Sequence, residues 1–140
     1  MQKGGVMGGR EVPGGRSGDP VDLLPLTPVA LNVLLALADG ERYGYGIMLE
    51  VRERTGGRVR LGPGTLYGAI KRLKEAGVIE EPGERPDPGE APDDERRRYY
   101  RLTGFGGEVL AAEVERLDGL VRAARRKGAF PAPKPSPEGA

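Results

Sequence analysis

Gly62-Pro-Gly-Thr-Leu-Tyr-Gly-Ala-Ile-Lys-Arg-Leu-Lys-Glu-Ala-Gly77 is the stretch whose reading decides the fold. Leu66, Ile70 and Leu73 recur at spacings of four and three, which puts them on one face of a helix. That period predicts a helix over residues 64–76, ended by Gly77, whose backbone freedom suits a helix stop. Tyr67, Lys71, Arg72 and Lys74 fall off the apolar face, with only Glu75 to oppose their charge. Pro63 and Gly64 leave backbone N–H groups free at the positive end of the helix, a place suited to a phosphate. Thr65 and Tyr67 add hydroxyl donors near that end. Each feature has a plainer reading. Lys71, Arg72 and Lys74 also fit an ordinary solvated face, and Tyr67 also fits a packing role.

Upstream, Thr27-Pro28 reads as an N-cap followed by proline at the first helical position. Val29, Ala30, Leu31, Val33, Leu34, Leu35 and Leu37 follow, apolar nearly all round, so this helix is expected to be buried on more than one side. Asp39-Gly40 stops it. A second helix is expected over residues 44–55, with Ile47, Met48 and Val51 inward and Gly56-Gly57 at its end. Arg58-Val-Arg-Leu61 alternates and reads as a short strand or an extended connection. Downstream, Val78-Ile-Glu-Glu81 and Arg97-Arg-Tyr-Tyr-Arg-Leu102 read as two strands of a long hairpin. Tyr99 and Tyr100 alternate across the second strand, so one is expected in the core and the other at the surface. Thr103 caps a last helix reaching Lys127. Its Leu110, Val114, Leu117, Val121 and Ala124 make a coiled-coil seam that calls for a partner.

Glycine (24) and proline (13) make up about a quarter of the 140 residues, and hydrophobic residues only 37%. One small core with unstructured extensions is expected from that balance. The expected organisation is a glycine-rich tail over 1–25, a helix-turn-helix unit over 26–103, a dimerisation helix over 104–127 and a proline-rich tail over 128–140. Cysteine and histidine are both absent. Disulfides, thiolate metal sites, cysteine nucleophiles and a Ser-His-Asp triad are therefore excluded. No catalytic residue, metal site or cofactor is expected. Gly44 and Gly46 lack the third glycine of a dinucleotide fingerprint, and Gly62-Pro-Gly-Thr lacks the Gly-Lys-Ser/Thr of a P-loop. No apolar run is long enough to span a membrane, so a soluble cytoplasmic protein is the expectation.

Helix, helix, turn, helix and hairpin is the order of a winged helix-turn-helix, a mainly α (α+β) fold. Tyr43-Gly-Tyr-Gly46, Gly62-Pro-Gly-Thr-Leu-Tyr67, Lys71-Arg-Leu-Lys-Glu-Ala-Gly-Val-Ile79 and Arg98-Tyr-Tyr-Arg-Leu-Thr103, in this order, resemble the PadR family of transcriptional regulators. The resemblance covers roughly residues 26–126. It implies a homodimeric regulator, a repressor that binds double-stranded DNA at an inverted repeat and is released by a small-molecule effector. It also implies Tyr43 and Thr65 toward phosphates, Tyr67 and Lys71 in or beside the groove, and Arg98 on the wing. The candidate DNA-binding set is Tyr43, Pro63, Gly64, Thr65, Tyr67, Lys71, Arg72, Lys74, Arg97 and Arg98. The candidate dimerisation set is the seam, Leu110, Val114, Leu117, Val121 and Ala124. The rival expectation is a winged-helix module that docks a protein partner through its acidic tip or proline-rich tail. The tip itself, with acids from Glu80 to Glu95, is expected to project away from DNA.

Overall fold

A computed structural model describes residues 18–83, 98–129 and 131. Arg96, Arg97, the acids of the expected wing tip from Glu84 onward and most of both expected tails lie outside those residues. Among the described residues four α-helices form: α1 (Pro28–Ala36), α2 (Gly44–Arg54), α3 (Pro63–Glu75) and α4 (Gly104–Arg126). Three short strands accompany them among the described residues: β1 (Arg42–Tyr43), β2 (Ile79–Glu80) and β3 (Tyr99–Leu102). No helix among the described residues is long and apolar enough to cross a membrane.

The caps explain where the helices begin. Thr27 accepts a hydrogen bond from the Ala30 N–H at 3.0 Å, and Pro28 occupies the first turn of α1. Thr103 does the same for α4, accepting from the Gly106 N–H at 2.8 Å. Helix α1 packs on α3, α2 and α4. Its Val33 and Leu34 meet Ile47 and Val51 of α2, Leu66, Ile70 and Leu73 of α3, and Val109 and Leu110 of α4 in one buried cluster.

Two features depart from the sequence expectation. The wing is a three-stranded antiparallel sheet in the order β1-β3-β2, not a two-stranded hairpin. Arg42 pairs with Tyr100 and Tyr43 with Tyr99 on one side of β3, and Ile79 pairs with Leu102 and Glu80 with Arg101 on the other. A two-residue strand leaves no periodic signal, and its pairing partner lies more than fifty residues away. The second departure is a 3-10 turn over Pro20–Leu23, inside the stretch expected to be a tail. Asp19 caps it by accepting from the Val21 N–H, and the turn packs against α4. Residues 58–61 form a connection rather than a strand. Thr55 closes it, its hydroxyl accepting from the Val59 N–H at 3.0 Å, while Leu61 is buried.

Two glycines are required by close approach. A side chain at Gly44 would strike the Tyr67 hydroxyl, and one at Gly106 would strike the backbone carbonyl of Val78. Gly106 therefore lets the first turn of α4 lie directly on the chain between α3 and β2. The lone buried charge among the described residues is Glu113, 1% exposed. It accepts from the Leu26 N–H at 3.1 Å and from Arg116 at 2.7 and 3.0 Å, so α4 holds the chain just before α1. The Arg116 hydrogen bond is the largest influence on its carboxyl and holds it below its ordinary value of 4.5, with burial opposing.

Candidate nucleic-acid interface

Helix α3 owes its orientation to its underside. Leu66, Ala69, Ile70 and Leu73 are all buried, which turns the opposite face outward. Thr65, Lys71, Arg72 and Lys74 are exposed on that face, and Pro63 and Gly64 are exposed at its start. Gly62 is the N-cap and has no side chain to accept from the first turn, and the first intrahelical bond is the Leu66 N–H to the Gly62 carbonyl. The backbone N–H groups ahead of it keep their positive partial charge toward solvent.

Tyr43 is exposed at the end of β1, and its ring lies 5.6 Å from that of Tyr99 on the paired strand. Tyr100, the other half of the alternating pair, is 2% exposed and belongs to the core. Tyr67 is half-buried, and its hydroxyl oxygen is buried where the ring leans on Gly44. That corrects the expectation of an outward-facing hydroxyl donor: the space left by a missing Cβ on α2 draws the tyrosine tip inward.

The cations divide into two groups. Lys74 donates to Glu81 at 2.6 Å, and Arg98 lies 3.8 Å from the same carboxylate oxygen. Arg101 is held by Glu80 at 2.8 Å and by Glu41 at 3.7 Å. Lys71 and Arg72, by contrast, have no acidic partner among the described residues. The sequence reading counted Glu75 as the acid opposing the α3 cations and missed Glu81, which the turn after Gly77 folds back beside Lys74. Gly77, at φ 79°, makes that reversal and was legible as a stop.

The expected dimerisation seam is split. Leu110 is buried inside the protomer, Leu117 and Ala124 are half-buried, and Val114 (47%) and Val121 (46%) are exposed. Leu120, which was not in the expected seam, is more exposed still at 56%. Only the first third of α4 packs into the protomer's own core. The physical reason is length: the bundle of α1 to α3 is shorter than a 23-residue helix, which runs to about 34 Å.

A helical trio with a three-stranded wing, a cationic outer face on the third helix and a long terminal helix defines a winged helix-turn-helix protein. Residues 33–112, more than half of the chain, match the model of the transcriptional regulator PadR-like family, and the chain belongs to that family. The chain is 41% identical over 92 residues to an uncharacterised 37.1 kDa protein of transposon Tn4556 from Streptomyces fradiae. That match covers 64% of this chain and 24% of the relative, so the chain spans about a quarter of that protein's length. Among solved structures, a PadR family transcription regulator from Clostridium difficile superposes with a TM-score of 0.59 at 25% identity, covering 71% of this chain and 97% of the other. A transcriptional regulator from Clostridium thermocellum gives 0.56 at 26% identity, covering 70% and 87%.

Proposed function

We propose that the protein is a DNA-binding transcriptional regulator that acts as a homodimeric repressor on an inverted repeat. The observation that carries this reading is the outer face of α3. Lys71 and Arg72 stand unneutralised in the second half of a rod that starts without a side-chain cap and is fixed from beneath by four buried side chains. Such a rod fits a major groove about 12 Å wide. Tyr43, Gly64 and Thr65 supply backbone and hydroxyl donors to phosphates, and Pro63, which has no N–H to give, fixes the first turn against which the phosphate packs. Lys71 and Arg72 run along the groove, and the Tyr67 ring acts as their support. Lys74, Arg98 and Arg97 complete the set, with Lys74 and Arg98 exchanging Glu81 for phosphate when DNA arrives. An exchange of partner gains less than a fresh ion pair, so these two contribute less than Lys71.

The exposed Val114, Leu120 and Val121, with the half-buried Leu117 between them, supply the second half of the reading. Pairing this strip with its copy about a two-fold axis buries it and presents two recognition helices to half-sites about one helical turn, ~34 Å, apart. A small molecule that alters the angle between the two copies would then alter the fit of both helices at once.

The test is fluorescence anisotropy with labelled duplex from the protein's own upstream region, titrated across salt concentrations. A specific regulator gives tight binding to one inverted repeat, with log affinity falling linearly against log salt. Equal affinity for every duplex, or no binding at low salt, sinks the proposal.

A further inference from the structure

On α2, residues Tyr45, Met48, Leu49 and Arg52 share one face, and the connection to α3 brings Arg60 and Leu61 against it. Together they line a cleft of about 80 Å³. Tyr45 is 42% exposed at the first turn of the helix. Arg60 is exposed and turned back along the connection: its Nε donates to the Gly57 carbonyl at 3.3 Å, and its guanidinium lies 3.5 Å from where a Gly57 side chain would begin. Gly57, at φ 82°, leaves that path open. Arg52 enters the same cleft from the helix. Neither arginine has an acidic partner among the described residues, and neither does the neighbouring Arg58. Two guanidinium groups lining one cleft repel each other until an anion lies between them.

We infer that this cleft is a phosphate-binding site, and that its occupant is a backbone phosphate of the same duplex, outside the footprint of α3. The inference rests on the DNA-binding reading above. The connection that carries Arg60 leads within two residues to Gly62, the N-cap of α3, so the cleft lies beside the end of the recognition helix that meets DNA. Arg52 and Arg60 act as a fork that grips one phosphate. Tyr45 offers its hydroxyl at the rim. Arg58 adds long-range attraction without a fixed position.

The experiment compares the salt dependence of operator binding for the wild-type full chain, the Arg52→Ala/Arg60→Ala variant and an Arg122→Ala control. Arg122 already pairs with Asp118 at 3.2 Å on α4, so the control removes a cation without opening this cleft. Loss of one phosphate contact per protomer lowers the slope of log affinity against log salt by about 0.9 per protomer. The control slope stays at the wild-type value. All three proteins keep the same thermal midpoint, because both arginines are exposed. A slope equal to wild type in the double variant overturns the inference. A second arm titrates inorganic phosphate into the DNA-free protein. Phosphate binding that the double variant abolishes, together with an unchanged DNA slope, makes the cleft a free-anion site and overturns the DNA assignment. Absence of any DNA binding by the wild-type chain is a different failure, and it removes the regulator reading itself.

Discussion

Helices α3 and α4 are both amphipathic, but only one of them is finished within the protomer. In α3, every member of the apolar row is covered: Leu66, Ala69, Ile70 and Leu73 all lie in the core. In α4 the row is covered as far as Leu110 and then emerges, with Val114, Leu120 and Val121 half in water. The polar faces differ in the opposite sense. Along α4, Arg116 and Arg122 are paired with acids on their own helix, whereas on α3 Lys71 and Arg72 are not. Helix α3 closes its apolar row and leaves Lys71 and Arg72 open, whereas the middle of α4 opens its apolar row and pairs Arg116 and Arg122. On the reading proposed above, each helix takes a different kind of partner: a polyanion for α3 and an apolar surface for α4.

The largest effect should come from breaking the closed face. Leu66→Ala removes a fully buried side chain from the common core of α1 to α4 and should cost about 2–5 kcal/mol of unfolding free energy. Chemical denaturation reads that loss directly, and it should be independent of protein concentration. A cost below 1 kcal/mol would mean that the underside of α3 is not the anchor described here.

Next comes the open face of α4. Val121→Asp places a carboxylate on each side of the proposed seam. Desolvating them should weaken dimerisation by about 3 kcal/mol, more than a hundredfold. Sedimentation velocity should show the variant shifted to monomer at concentrations where the wild type is dimeric. An isolated protomer should lose less than about 0.5 kcal/mol, because Val121 touches no core. An unchanged sedimentation profile would leave α4 without the partner its exposed row requires.

Glu113 lies where the covered part of α4 ends, and its effect should be smaller. Replacing it by Gln removes the charge that Arg116 and the Leu26 N–H share, which should cost about 1–2 kcal/mol at neutral pH. The pH dependence has a definite sign. A carboxyl held below its ordinary value of 4.5 adds stability that is complete above that value and disappears as pH falls through the lowered one. Thermal midpoints of wild type and Glu113→Gln should therefore differ at pH 7 and converge in acid below pH 4.5. Parallel curves over that range would mean that the carboxylate has no special attachment to its neighbours in the folded chain.

The closed elements were the legible ones. Thr27-Pro28, Gly77 and Thr103 mark helix boundaries through local chemistry, and the period of Leu66, Ile70 and Leu73 identifies a buried row without any knowledge of what covers it. Asp19-Pro20 carries the same start signature as Thr27-Pro28, but it was hidden inside a glycine- and proline-rich composition. What the sequence could not show is anything set by distant neighbours. The pairing of Arg42 and Tyr43 with β3 depends on a chain reversal. The need for glycine at 44 and 106 depends on Tyr67 and the Val78 carbonyl arriving there. The split of the α4 seam follows from where the bundle ends, which no heptad count contains. At the site, the basic character of α3 was visible, but the division of its cations by Glu81 was not, because a pairing across a turn needs the turn's direction.

That division supplies the finest test of the contrast between the two helices. Lys71 is exposed and lacks an acidic partner among the described residues, so Lys71→Ala should leave stability within about 0.5 kcal/mol of wild type. Its effect should fall entirely on binding, lowering the salt slope by about 0.9 for each phosphate it neutralises. Lys74→Ala is the matched comparison on the same helix. Lys74 already donates to Glu81, so its removal frees a carboxylate next to the duplex while deleting a cation that was only partly available. Lys74→Ala should therefore weaken binding while changing the slope less than Lys71→Ala does, and the added substitution Glu81→Gln should restore most of the lost affinity. Equal slopes for the two lysine variants, with no rescue by Glu81→Gln, would show that the ion pair at the end of α3 has no bearing on which cations meet DNA.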